Sequence, residues 1–431
     1  MAAALAAGDA AAAGFQLKEN SVRSLGSAFA GSGVKEGDAA VVVNNPAAMT
    51  GLEGTTVQAD VSVIDLNYRF RGSGSDAFGR PLSGGDGGNA GGVTPVPAFS
   101  AVRRLDNGIA LGAMLSVPFG LKTEYEPGWV GRYFARTSEV RIVDLTFAAA
   151  FDLGERLALG VGVIHSSAEV LLSKEVDFGS LLFADPATRA LPFAQPQARD
   201  GFVEVVGDDR GIGWLAGARL RATDRLTLGL SHRSEIDYDL AGEVDWTVPA
   251  DVAAVFAANP GSAVLFQDGG ARAAVTTPAI TTLSASYAAG ERLTLLGTAS
   301  RTGWSTLDEL RIEFDNPDPD AVEPFRWKDS MFWSLGGEYR LNPAWTLRAG
   351  IARDRTPTSI EHRSPRLPDD DRTWYSLGVT WRMREALDVH FALTRIEPDD
   401  PRVDIANGGS RIAGPFDGNA NLLGISTQYR F

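Results

Sequence analysis

The chain contains no cysteine among its 431 residues. This absence excludes a disulfide scaffold, a thiolate zinc site and a cysteine nucleophile. The chain also lacks any apolar run of about 18 residues, so we predict no membrane-spanning helix. Basic residues are outnumbered, since 40 Lys and Arg face 54 Asp and Glu, which gives a net charge of −14. Because nucleic-acid binding needs a basic face, we predict no nucleic-acid partner.

The first thirteen residues, MAAALAAGDAAAA, are small and mostly alanine. They are similar to the end of a secretory signal, with an A-x-A cleavage site at residues 11–13. A basic leader is missing, and Asp9 interrupts the apolar part. We interpret residues 1–13 as a signal-peptide remnant. A disordered alanine-rich tail is the alternative.

From residue 53 onward, bulky apolar residues alternate with small or polar ones. Residues 375–381, for example, read YSLGVTW. This period of two is typical of strands, and it recurs too often for a helical domain. In a membrane barrel the apolar face meets lipid and the polar face lines a lumen. Lipid leaves no backbone group unpaired, so such a sheet must close.

We predict fourteen strands with two alternating classes of connection. The strands are at about 53–70, 94–105, 108–119, 136–152, 156–176, 202–222, 225–246, 272–288, 291–314, 326–341, 345–360, 372–383, 387–398 and 420–431. Short turns alternate with long loops at about 71–93, 120–135, 177–201, 247–271, 315–325, 361–371 and 399–419. This asymmetry is typical of outer-membrane barrels. The predicted fold is therefore all-β, a transmembrane antiparallel β-barrel of about fourteen strands.

An ordered set of motifs carries a family resemblance along nearly the whole chain from residue 14. It includes GFQL at 14–17, NPAAM at 45–49, VPFGL at 117–121, GWVGRY at 128–133 and PDDDRTW at 368–374. The set resembles the FadL/TodX-type outer-membrane transporters of long-chain fatty acids and other hydrophobic compounds.

The resemblance implies that residues 14–52 form a hatch, or plug, inside a barrel of residues 53–431. The hatch residues that match the family motifs are Gly14, Phe15, Asn45, Pro46 and Ala47. The segment is too rich in glycine and alanine to make a core alone. A flexible N-terminal tail is the alternative.

The third predicted strand contains a proline. Pro118 cannot donate to a ladder, and Pro95 and Pro97 in the neighbouring strand cannot either. The resemblance implies a kink here that opens the wall sideways, with the small residues Gly112 and Ser116 keeping the gap open. Alternatively, Pro118 ends the strand at the rim.

Two long loops contain apolar clusters, which are costly in water unless they pack or capture something. The candidate substrate-binding residues there are Phe183, Phe193, Phe256 and Phe266. Both loops have the composition of short helices, with Pro186 and Pro249 as start signals. The resemblance implies a greasy landing groove for the ligand. A self-packed lid is the compatible alternative.

Two lysines are candidates for the counter-charge of a substrate carboxylate. The resemblance places Lys328 in the barrel lumen, and Lys174 in the fifth strand is a second candidate. Since Asp329 and Glu175 stand beside them, solvated or salt-bridged charges are the alternative for both lysines.

Catalytic chemistry finds little support in the sequence. Its four histidines share no metal or triad spacing, and no nucleophile elbow, Walker loop or dinucleotide fingerprint occurs. We therefore predict no enzyme activity, no cofactor and no metal. The acidic clusters at 315–320 and 369–371 are interpreted as solvated loop charges.

The leading hypothesis is passive uptake of long-chain fatty acids or related hydrophobic molecules across the outer membrane. An open diffusion porin for polar solutes is the alternative. Predicted partners are the hydrophobic ligand, outer-membrane lipid and lipopolysaccharide, and the barrel-assembly machinery, which would read the terminal strand ending at Phe431. The predicted state is a monomer in the Gram-negative outer membrane.

Overall fold

The computed structural model describes residues 13–431, so the predicted signal remnant lies outside the described residues except for Ala13. The first strands are β1 (Thr55–Phe70), β2 (Ser73–Ser75), β3 (Val93–Arg104), β4 (Ile109–Glu124), β5 (Thr137–Leu153), β6 (Leu157–Asp177), β7 (Asp200–Arg221), β8 (Leu226–Arg233), β9 (Ile236–Thr247) and β10 (Gly269–Thr277). The others are β11 (Ile280–Ala288), β12 (Leu293–Thr302), β13 (Glu309–Phe314), β14 (Ala321–Pro324), β15 (Ser330–Asn342), β16 (Trp345–Asp354), β17 (Arg372–Arg384), β18 (Leu387–Pro398), β19 (Arg402–Asn407) and β20 (Ser410–Arg430).

These strands build one closed antiparallel barrel. Each wall segment pairs with the next along the chain, and β20 closes the ring by pairing with β1 from Thr56–Arg430 to Phe70–Phe416. The ring has fourteen wall segments, which confirms the predicted fold. The short strands β2, β14 and β19 extend the hairpins of the long loops.

Three consecutive wall segments are broken, although the sequence pattern predicts continuous strands. Each consists of two strands: β8 with β9, β10 with β11, and β12 with β13. Pro278 stands at the second break, where it cannot donate to the ladder. At the third break a 3₁₀ turn, Trp304–Thr306, buries Trp304 completely. The breaks therefore bend this side of the wall around buried aromatic rings.

The two faces of the wall differ as the alternation predicts. Outward residues such as Leu335 and Leu377 are exposed, at 70% and 61%. Their inward neighbours Ser334 and Ser376 are buried. Among residues 13–431, no helix has the length and hydropathy needed to cross a membrane.

Residues 13–52, called here the internal segment, lie inside the barrel. They form α1 (Val22–Leu25), α2 (Val41–Asn44) and the 3₁₀ helices Ser32–Val34 and Pro46–Gly51. Wall strands hold them from different sides. The Val22 N–H donates to Asp60 Oδ1 over 2.8 Å, and Ser231 Oγ donates to the Asn44 carbonyl over 2.7 Å.

Two helices lie in the long loops, α3 (Phe178–Ala184) and α4 (Ala250–Ala257). Helix α4 begins directly after Pro249, as predicted. Helix α3 instead ends before Pro186, so the predicted start signal is wrong. Its N-cap is Asp177, whose carboxylate accepts the Ser180 N–H over 2.8 Å.

Candidate functional site

An apolar cavity of about 80 Å³ lies between the internal segment, the wall and the loop at 355–371. Phe15 and Trp327 line it, and the rings of Phe119 and Trp304 pack against them. The centroid of Phe15 lies 4.8 Å from that of Trp304 and 5.8 Å from that of Phe119, and Trp304 lies 5.0 Å from Trp327. The walls are aliphatic: Leu121, Val140, Ile142, Ala168, Val170, Leu172, Leu240, Val275, Leu307 and Leu310. The cavity is therefore suited to an apolar chain or ring.

One end of this apolar cavity is charged. The Arg366 guanidinium lines it, donates to Ser138 Oγ over 2.9 Å and lies 3.3 Å from the Glu323 carboxylate. Lys174, two residues beyond Leu172 on β6, interacts electrostatically with both groups. Burial lowers the pKa of Arg366, and the Glu323 carboxylate opposes this. Arg366 and Glu323 line the cavity and pair with each other, while Lys174 lies outside the lining and adds a positive charge beside them.

Lys328 does not line this cavity. Its side chain is exposed, and its backbone N–H donates to the Pro357 carbonyl over 3.0 Å. Neither lysine forms a salt bridge with the acidic residue beside it, although the exposure of Lys328 fits the solvated form of the alternative. Asp329 pairs with Arg301, and Glu175 pairs with Arg132 at 3.3 Å. Of the two predicted lysines, only Lys174 is near the cavity.

A second, polar cavity of about 110 Å³ lies on the other side of the first residues of the internal segment. Phe15 lines the apolar cavity, whereas Gln16, Leu17 and Lys18 line the polar one. Residues 15–18 thus form the partition between the two cavities. The polar cavity is also lined by Ser116 and Pro118 of β4 and by Asp144, Thr146 and Arg233.

The partition is attached to an irregularity in the wall. In the β4–β5 ladder the register shifts between Ser116 and Phe119, so that Val117 and Pro118 form a bulge. There the Leu17 N–H donates to the Pro118 carbonyl over 2.7 Å, and the Gly120 N–H donates to the Phe15 carbonyl over 2.9 Å. The internal segment therefore takes hydrogen bonds that a regular strand would give to its neighbour.

Next to this bulge, β3 and β4 are paired along only part of their length. The β3–β4 ladder ends at Phe99–Leu115, although β3 continues outward through Pro97 and Pro95 in pairing with β1. β4 continues to Glu124 in pairing with β5. Pro118 therefore does not end the strand at the rim, and that alternative is wrong.

The sequence predicts that two small residues, Gly112 and Ser116, lie at the opening in the wall. Ser116 lies at the start of the bulge and is buried. Gly112 instead lies below it, paired with Val102. A Cβ atom on Gly112 would meet Met49 and Val42 of the internal segment, so this glycine makes room for that segment.

The predicted hatch residues are all buried in the barrel. Asn45 Nδ2 donates to the Gly33 and Ala218 carbonyls over 2.9 and 3.0 Å, and its Oδ1 accepts the Ala47 N–H. Pro46 begins the 3₁₀ helix. The Gly14 N–H donates to Asp369 Oδ2 over 2.8 Å. Asp369 is only 1% exposed, so the interpretation of 369–371 as solvated loop charges is wrong for this residue.

The four predicted loop phenylalanines lie in two separate places. Phe193, Phe256 and Phe266 pack in one cluster that joins the loops of α3 and α4. Phe183 stands apart, with its ring 4.9 Å from that of Phe78 and the Arg80 guanidinium 5.0 Å from its ring centroid. All four rings are half-buried. The loops thus pack against each other and still present apolar surface.

Sequence reasoning missed Arg366, Glu323 and Trp327 as cavity residues. Arg366 lies in a long loop and Glu323 in a short hairpin, where no periodicity assigns a side chain to a face. Only the folding of the loops over the barrel brings them together. Among residues 13–431, no group of three or more His, Asp or Glu is placed to hold a metal ion.

Comparison with known proteins agrees with this architecture. Residues 3–431 match the family described as outer membrane protein transport protein (OMPP1/FadL/TodX). Outer membrane protein P1 of Haemophilus influenzae is 28% identical, over 99% of this chain and 97% of the relative. The long-chain fatty acid transport protein of Escherichia coli O6:H1 is 24% identical, over 100% of this chain and 97% of the relative.

A solved structure has the same fold. The crystal structure of a Pseudomonas aeruginosa FadL homologue superposes with a TM-score of 0.91 at 27% identity, covering 97% of this chain and 100% of that chain. The relatives are outer-membrane proteins, and family members are transporters or channels, not enzymes. The chain therefore belongs to the OMPP1/FadL/TodX family of outer-membrane transporters of hydrophobic compounds.

Proposed function

We propose that this protein takes up long-chain fatty acids or similar amphiphiles passively, and that the apolar cavity is its ligand site. The observation that carries the proposal is the Arg366–Glu323 pair, with Lys174 beside it, at one end of an otherwise aliphatic and aromatic cavity. The apolar walls provide affinity for an alkyl chain, while Arg366 and Lys174 orient a carboxylate.

Capture begins at the outer loops. Phe193, Phe256 and Phe266 form a half-buried apolar surface between α3 and α4, and Phe183 adds a second one beside Phe78. A ligand that meets these surfaces leaves water before it reaches the apolar cavity. The free energy for this step comes from apolar burial.

Passage then requires the partition to move, with the internal segment acting as a hatch. Residues 15–18 separate the apolar cavity from the polar one and are bonded to β4 at its bulge. Once they shift, the ligand meets the wall where the β3–β4 ladder is missing. We propose that it leaves sideways there, between Pro97 on β3 and Ser116 on β4.

No external energy source is needed, because differential affinity and downhill consumption of the ligand drive the flux. We propose that the apolar outer face of the barrel contacts membrane lipid and that its outer rim contacts lipopolysaccharide. The ring closes within one chain, so we propose that the protein works as a monomer.

The ligand site is tested with hexadecanoate as the probe and the change in tryptophan fluorescence on binding as the signal, because Trp327 lines the cavity and Trp304 packs against Trp327. Replacing Arg366 by methionine should weaken hexadecanoate binding by about tenfold, since a charge-assisted contact is lost. Arg366→Lys should retain most of the affinity. Lys328→Met is the matched control and should bind as the parent does, because Lys328 is exposed. Unchanged binding in Arg366→Met contradicts the site.

A conductance measurement distinguishes this function from an open porin. The internal segment fills the barrel, so the parent protein in planar bilayers should give no large steady current. Deleting residues 14–40 should leave a folded barrel that conducts ions. A deleted protein that folds and conducts no more than the parent contradicts the hatch assignment.

A further inference from the structure

The polar cavity contains a lysine without an acidic partner. Lys18 Nζ lies 3.4 Å from Gln16 Oε1 and 4.4 Å from the centroid of the Phe332 ring, and it forms no ion pair with any described residue. Its nearest carboxylates have other contacts: Asp354 accepts the Ala13 N–H, and Glu19 accepts the Lys18 backbone N–H. An ammonium group held by an amide and an aromatic face is ready to accept an anion.

The remainder of the cavity offers further donors. Asp144 and Arg233 pair at 2.6 Å and cancel each other's charge, so Lys18 gives the lining one net positive charge. Arg233 Nη1 and Thr146 Oγ1 are buried there without a hydrogen-bond partner. Buried donors normally have partners, so these two require a water or a ligand. At about 110 Å³, the cavity holds several waters or a carboxylate group with waters.

The cavity also lies on the proposed route. Lys18 is the last of the partition residues, and Ser116 and Pro118, which lie beside the part of the wall where β3 and β4 are not paired, line the same space. A ligand whose alkyl chain turns toward the wall would therefore pass its head group through this cavity. Burying a carboxylate there without a counter-charge would be costly.

We infer that the polar cavity is a second carboxylate station, at which Lys18 and Arg233 hold the head group of an anionic amphiphile as it moves from the apolar cavity to the wall. This rests on the proposed function and deepens it. It makes this chain selective for anionic over neutral long-chain molecules at the transit step, separately from selection at Arg366.

The electrostatics of Lys18 agree with this role. Burial lowers the pKa of Lys18, while Asp354 and Glu19 act in the opposite direction. A bound carboxylate would add to that opposing effect and stabilise the charged ammonium. The ammonium charge of Lys18 and the bound carboxylate thus stabilise each other.

Two probes of equal chain length test the inference, hexadecanoate and hexadecan-1-ol. Uptake is measured in Gram-negative cells that lack their own long-chain transporter and express the full-length protein. Lys18→Met should lower hexadecanoate uptake about tenfold and leave hexadecan-1-ol uptake unchanged. Equilibrium binding of hexadecanoate at the apolar cavity, measured by tryptophan fluorescence, should stay at the parent level. Lys18→Arg should restore uptake.

Lys122→Met is the matched control, because Lys122 pairs with Glu139 and lines neither cavity. It should behave as the parent for both probes. Equal loss of both probes in Lys18→Met, or full hexadecanoate uptake, overturns the station. If the parent itself binds and transports neither probe, the proposed function fails and this inference fails with it.

Discussion

Gly26 of the internal segment and Gly378 of β17 are in direct backbone contact: a Cβ atom added to Gly378 would lie 2.7 Å from the Gly26 Cα atom. Inward glycines on other strands meet the internal segment in the same way: Gly112, Gly160, Gly217, Gly229, Gly336, Gly350 and Gly424. The inward glycines of the wall strands therefore form a surface that fits the internal segment.

Replacing Gly378 by valine should displace the internal segment while leaving the barrel folded, since the added side chain has no space next to backbone. The expected result is a steady ion current in planar bilayers that the parent lacks. Gly297→Val is the control, because a Cβ atom at Gly297 meets nothing closer than 3.6 Å. A Gly378→Val protein that stays as closed as the parent would argue against the fitted surface.

Glu19 should make the docking of the internal segment depend on pH. Its carboxyl group is 1% exposed, and burial raises its pKa from 4.5 to about 7, although backbone hydrogen bonds and the charges of Lys18 and Arg372 oppose this. The docked state thus binds the proton more tightly than the released state. The resulting stabilisation is complete below about pH 4.5 and is lost as the pH rises through about 7, by about 3 kcal/mol.

Hydrogen exchange of residues 14–30 checks this, with parent and Glu19→Gln compared between pH 5 and pH 8 after correction for intrinsic rates. The parent should lose protection toward pH 8, and Glu19→Gln should not. A parallel pH dependence in the two proteins would mean that another group is responsible.

The sequence predicts the barrel well because the period-two alternation of a strand is a local property. Residues 375–381 alone assign a lipid face and a lumen face, and the turn spacing then gives the strand count. The breaks at 234–235 and 303–308 are not predictable in this way. At 303–308, Trp304 is buried against Phe15, which is a contact between residues far apart in the chain and which no local pattern predicts.

The site is predicted less well, because it too depends on contacts between residues far apart in the chain. The partition could be placed because its motif resembles a family hatch, but the charges of the cavities could not. Arg366 and Lys18 lie in segments without periodicity, so their direction is set by long-range folding alone. Lys328 was favoured by a local resemblance and is exposed.

Phe431 should be needed for assembly. It is 77% exposed and ends a strand whose outward residues are apolar, its N–H donates to the Thr55 carbonyl over 2.8 Å, and its ring lies 4.7 Å from that of Tyr429. The sequence predicts that the barrel-assembly machinery reads the terminal strand, so deleting Phe431 should lower the outer-membrane yield several-fold. Phe431→Tyr should keep the yield. A normal yield after the deletion would contradict this role.

The lateral exit gives the sharpest prediction. Above Phe99–Leu115, β3 and β4 are not joined in the ladder, and Pro95 and Pro97 cannot donate to one. Unpaired carbonyl groups facing hydrocarbon would cost several kcal/mol each. The internal segment covers part of this edge by donating from Leu17 to the Pro118 carbonyl. The gap is therefore lined by protein on its lumen side, and opening it breaks no β3–β4 ladder hydrogen bond.

The double variant Ala98→Cys/Ser116→Cys places two thiols at the next positions of the β3–β4 register, and the chain has no other cysteine. Oxidation should abolish hexadecanoate uptake while leaving its binding at the apolar cavity intact, and reduction should restore uptake. The matched control is Ala101→Cys/Ala113→Cys, a pair already joined in the ladder, whose cross-link should change nothing. Both cross-links tie the same two strands, but they differ in height and in face, since Ala98 and Ser116 are buried whereas Ala101 is exposed. Uptake that survives a confirmed link at 98–116 would mean that the ligand leaves through the internal segment into the periplasm.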